Sequence, residues 1–163
     1  MALWQVSILV LPIDMVGDAE HVPEALIASV SGEAGDGMPG FTLPPNYAAT
    51  LSGILPARKS WSSSLQIWGA ADSDDIQIWW NQGKVLSIEV RIDVRKLDDL
   101  LLSRLLALAE KWSCVLVEWK HRRVCRMSVT ELRKLIAGHA HSRAVKDPNA
   151  WLPFLVEEAE KSR

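Results

Sequence analysis

Cysteine is scarce in this sequence. Two residues, Cys114 and Cys125, are too few for the disulfide framework that staples small secreted domains. They also lie too far apart for a zinc knuckle. Phenylalanine and tyrosine are nearly missing, with two Phe and one Tyr against eight Trp. No apolar run approaches the ~18 to 20 residues of a transmembrane helix, so no membrane partner is expected. The opening MALWQVSILVLP lacks a basic leader and a small-residue cleavage site. It alternates Trp4, Val6, Ile8 and Val10, and is expected to be a strand rather than a signal peptide. A cytoplasmic location follows as the default expectation. Positive charge is missing from one end: residues 1 to 57 hold no Lys or Arg but six acids, Asp14, Asp18, Glu20, Glu24, Glu33 and Asp36. All 18 bases fall in residues 58 to 163. Such polarity either steers a charged partner or lets the two parts attract each other within one fold.

Catalytic signatures are missing too. There is no G-x-S-x-G elbow and no Walker spacing in the glycine-rich SGEAGDGMPG, residues 31 to 40. The DSDD run, residues 72 to 75, lacks a calcium-loop pattern. His139-Ala140-His141 sits at an expected helix end, where positions i and i+2 diverge. No cofactor or metal is expected. The basic cluster Lys120, His121, Arg122, Arg123 and Arg126 is the pattern that touches phosphates, but also that of a solvated turn. With a net charge of −2, no nucleic-acid partner is expected.

What is present is a globular composition: 163 residues, 48% apolar and 23% charged. One domain is expected, with its weakest point in the loop at 31 to 45. The centre alternates. In DIQIWW, residues 75 to 80, Ile76, Ile78 and Trp80 share one face and Gln77 and Trp79 the other. In VLSIEVRIDV, Leu86, Ile88, Val90, Ile92 and Val94 oppose Ser87, Glu89, Arg91 and Asp93. This predicts an antiparallel sheet covered on one side. A three-residue loop, Asn81-Gln82-Gly83, is expected to pair Ile78 with Leu86. The stretch KLDDLLLSRLLALAEKW predicts a helix with leucines at 97, 101, 105 and 108. Strands are expected at SCVLVEW and VCRM. SVTE opens a helix at Ser128, and Asp147-Pro148 begins a last one. VPEALIASV and the segment from Asn46 predict two short helices. The fold class is α+β, a mainly antiparallel sheet with helices packed on one face.

The candidate site lies on the polar side of that sheet. Arg91, Asp93 and Arg95 fall in a row, either as solvated ion pairs or as part of a binding patch. Parity is taken to bring Trp68 and Trp79 beside them, and indole with arginine is a frequent interface pairing. The acids Asp72, Asp74 and Asp75 offer a second contact element. The competing expectation is that the N-terminal segment folds over both indoles.

The run SWSSSLQIWG…DDIQIWW…GKVLSIEVRIDVRK, with the leucine-rich helix and CVLVEW, resembles small uncharacterised bacterial proteins. Some of these look like immunity proteins of interbacterial toxin systems. The resemblance spans residues 60 to 120 and rests on no catalytic motif. It implies a non-enzymatic α+β protein whose protein partner is a cognate toxin, neutralised by occlusion of its active site. Acids of the N-terminal third, or Asp72, Asp74 and Asp75, would mimic a substrate's phosphates if the toxin were a nuclease. Two alternatives stay open: a small hydrolase or transferase using His121 or His139, and a structural subunit of a bacterial or phage assembly.

Overall fold

The computed structural model describes residues 4–31, 37–126, 128–138 and 147. Among the described residues the order is β1 (Gln5–Pro12), α1 (Ile13–Val16), α2 (Glu24–Ser31), α3 (Tyr47–Ser52), β2 (Ala57–Arg58), β3 (Leu65–Gly69) and β4 (Asp75–Asn81). There follow β5 (Lys84–Asp93), α4 (Asp99–Lys111), β6 (Cys114–Glu118), β7 (Arg123–Cys125) and α5 (Val129–Ala137). The fold is α+β. Its seven-stranded sheet has the order β2-β3-β4-β5-β1-β6-β7. Each named pairing is antiparallel. The helix expected after Asp147-Pro148 and the pair His139 and His141 lie outside the described residues.

Local chemistry explains the main helices. Asp98 is extended, and its carboxylate accepts the Leu100 N–H, capping α4. Asp99 in the first turn and Lys111 in the last suit the helix dipole. Leu101, Leu102, Leu105, Leu106 and Leu108 are buried. Leu97 precedes the helix instead of opening its stripe. At α5 the Ser128 hydroxyl accepts from Glu131 N at 3.3 Å, while Leu132 and Ile136, one turn apart, enter the core. Arg133 of α5 binds Asp99 of α4 at 2.6 Å.

Residues paired across antiparallel strands point to the same face, so the register sorts the side chains. One face carries the row Trp68, Ile76, Val90 and Ile8, with Ile78, Ile88, Ile92 and Val6 alongside. The other carries Ile67, Gln77, Glu89, Leu9, Val117 and Val124. Both faces are covered over much of their area. Leu9, Leu11, Val115 and Val117 are buried on the second face, and so are Gln5, Asp75, Gln77, Ser87 and Asp93. This corrects the expectation of a sheet covered on one side only.

The β4–β5 hairpin also departs from expectation. Its loop has two residues, Gln82 and Gly83, with φ of 50° and 77°. Both are in the left-handed region that a type I′ turn requires. Such a turn alone would mix the faces. An extra residue, Leu86, is inserted opposite the Trp79–Trp80 step and restores parity, so Ile78 pairs with Ile88 rather than Leu86. The bulge falls inside the strand rather than at the turn.

Candidate functional site

Trp68 is not where parity was taken to place it. It pairs with Ile76 on the first face and is 4% exposed. Its indole N–H donates to the Ser52 hydroxyl at 3.2 Å, and its ring meets Tyr47 of α3 edge-on. Trp80 packs on the same tyrosine and donates to Gln66 at 3.2 Å. These two indoles are the seat of α3 on the sheet. Trp68 therefore leaves the proposed surface, and the shared Trp68–Trp79 face is corrected to opposite faces.

The ionic row is committed within the chain. Asp75 and Arg91 are register partners. Arg91 Nε donates to Asp75 Oδ1 at 2.8 Å, and Nη2 binds the other oxygen. The Gln77 amide oxygen, turned to the guanidinium, accepts from Nη2 at 2.7 Å. The hydrogen bond to Asp75 raises the pKa of Arg91 further above its ordinary range. Ser7 donates to Glu89 at 2.6 Å beside it.

The acidic turn between β3 and β4 is tied to the same end of the sheet. Asp74 accepts the Asp93 N–H at 2.8 Å. Asp93 takes two arms of Arg95, at 2.9 and 2.7 Å. The Arg95 guanidinium lies 4.2 Å over the Trp4 ring, and both residues donate to the Asp72 carbonyl. Gln5 reaches the carbonyls of Ala71 and Ser73. Burial raises the pKa of Asp74 despite its hydrogen bond, and the nearby Asp93, Asp98 and Asp75 add to the rise. For Asp93 burial also pushes upward, but the hydrogen bonds from Arg95 outweigh it and the pKa falls. Gly69 permits the turn: its φ is 97°, and a Cβ there would lie 2.2 Å from the Asp74 carbonyl oxygen. The turn is a clamp, in which only Asp72 of the three acids is exposed.

What remains open is a corner that periodicity did not reveal. Trp61 is 77% exposed, the highest value of any large apolar residue described. Its ring meets the half-buried Trp79 edge-on, with centroids 5.6 Å apart and planes at 67°. Trp79 lies across from Leu65 on one side and Ser87 on the other, on the face of the ionic row. Trp61 follows Arg58-Lys59, both exposed, in a segment without alternation. An indole among four serines, with no apolar partner at helical or strand spacing, was the available signal.

The basic turn after β6 is also organised internally. The buried Glu118 carboxylate accepts from the backbone N–H of Lys120 and His121, both at 2.8 Å, and meets His121 Nδ1 at 2.8 Å. Arg122 pairs with Glu24 at 3.5 Å, and Arg126 holds the carbonyls of Gly17 and Ala19. The basic segment thus binds part of the acidic N-terminal third. Cys114 and Cys125 are buried, which pushes their thiols up to about 12 and about 11. Among the described residues no group of three His, Cys, Asp or Glu could hold a metal ion, and no helix is long and apolar enough to cross a membrane. No protein-family model, no curated protein and no solved structure matches the chain.

Proposed function

We propose that this chain is a non-enzymatic protein-binding protein that docks through the corner formed by Trp61 and Trp79. The exposure of Trp61 carries the reading. An indole packed edge-on against a second one keeps its outer surface in water, at a hydrophobic cost that a partner would relieve. Tryptophan is among the residues most enriched at the energetic centres of interfaces. Asp75 with Arg91 and Asp93 with Arg95 satisfy one another, which leaves them poorly suited to catalysis or to mimicry of phosphates. The more specific form of the proposal is an immunity protein that occludes the active site of a bacterial toxin.

Co-expression with each product of the flanking genes tests this. The expected result is one toxic product whose effect the wild type relieves and the Trp61→Ala, Trp79→Ala variant does not. Absence of any captured protein partner, together with no relief of toxicity, overturns the proposal.

A further inference from the structure

We infer that the Trp61–Trp79 corner takes an acidic protein segment carrying an apolar anchor. This rests on the protein-binding reading above and adds the chemistry of the partner.

Among the described residues, the unpaired charge near the corner is positive. Arg58 pairs with Ile67, which places it on the face of Trp79. Lys84 pairs with Asn81, two residues beyond Trp79 and on the same face. Lys59 is exposed between Arg58 and Trp61. Residues 37 to 71 contain no Asp or Glu at all. The described carboxylates on this face of the central strands, Glu89 and Asp75, accept from Ser7 and Arg91. Among the described residues Arg58, Lys59 and Lys84 form no ion pair. Among the described residues, three cations near the face of an exposed indole thus lack an ion-pair partner.

A complementary partner supplies carboxylates at the rim and an apolar side chain for the indoles. Rim charges act chiefly on the rate of encounter, so binding should weaken with salt. Nucleic acid is the other anionic class, but it prefers rings on which successive bases can stack. The planes of Trp61 and Trp79 cross at 67°, so they offer no continuous stacking platform.

The test uses the full chain with three labelled probes: an alternating Glu-Leu peptide, its Lys-Leu counterpart and an oligothymidylate. Anisotropy should report binding of the Glu-Leu peptide alone. Binding should weaken about tenfold or more in Trp61→Ala and in Arg58→Glu, Lys59→Glu, and should fall with added NaCl. Equal binding of both peptides, binding of the oligothymidylate alone, or no binding of the Glu-Leu peptide overturns the inference. Capture of the physiological partner separates the two claims. If Trp61→Ala abolishes capture but the charge reversal does not, docking at the corner stands and its acidic chemistry falls. If Trp61→Ala leaves capture intact, docking at this corner falls.

Discussion

Arg91 and Asp75 face each other across β5 and β4, joined by two parallel hydrogen bonds, with Asp75 fully shielded and Arg91 16% exposed. A buried pair of this kind adds little net stability over apolar residues of the same shape, but losing one partner strands the other charge. Arg91→Ala should therefore lower stability by about 3 to 5 kcal/mol in urea unfolding. The double change Asp75→Leu, Arg91→Met should lose far less than the two single changes combined. Additive losses would show that the pair is not a coupled unit.

The clamp at the acidic turn makes stability depend on pH in two opposed ways. Asp93 has a lowered folded pKa, so its contribution is present above the ordinary value of 3.8 and is lost as pH falls through the depressed one. Asp74 has a raised folded pKa, so its contribution is present below 3.8 and is lost as pH rises through the raised one. Asp74→Asn keeps an acceptor for the Asp93 N–H and removes the repelling charge. It should raise the urea midpoint at pH 7, with the gain shrinking as pH falls toward 3.8. A midpoint at or below that of the wild type at pH 7 contradicts this account.

Two tryptophans should respond in opposite ways to truncation. Trp68 fills the space between α3 and the sheet, so Trp68→Ala should destabilise by about 3 to 5 kcal/mol. Trp61 loses only its edge contact with Trp79, so Trp61→Ala should change stability by less than about 1 kcal/mol. Acrylamide quenching should likewise weaken in Trp61→Phe and stay near the wild-type level in Trp68→Phe.

The thiols should be silent in the native protein. Both are buried, and thiols pushed up to about 12 and about 11 hold almost no thiolate at pH 8. Ellman's reagent should react with neither Cys114 nor Cys125 until denaturant is added, and then with both. Rapid reaction of either in the native state would show its site to be open.

Strand alternation was enough to place Trp79 and Ile78 on opposite faces, while leucine spacing and the SVTE capping box predicted α4 and α5. Alternation failed at Trp68 because both faces of Leu65-Gln66-Ile67-Trp68 carry apolar groups. Only the pairing of Leu65 with Trp79 decides which face is which. The adjacent Val85 and Leu86 were the sign of a bulge inside β5, since two neighbouring apolar residues break the alternation. The burial of Asp75 and Asp93 was not legible, because a charged row alternates identically whether it faces water or is covered. Trp61 has no periodic partner, and its exposure follows from the three-dimensional position of a loop.

The most direct measurement is capture of the partner from the source cells by wild type and by Trp61→Ala, Trp79→Ala, with thermal midpoints recorded for both. The account predicts that a partner held by the wild type is lost with the variant, while the variant still unfolds cooperatively within a few degrees of the wild type. A partner retained equally by both proteins would contradict it.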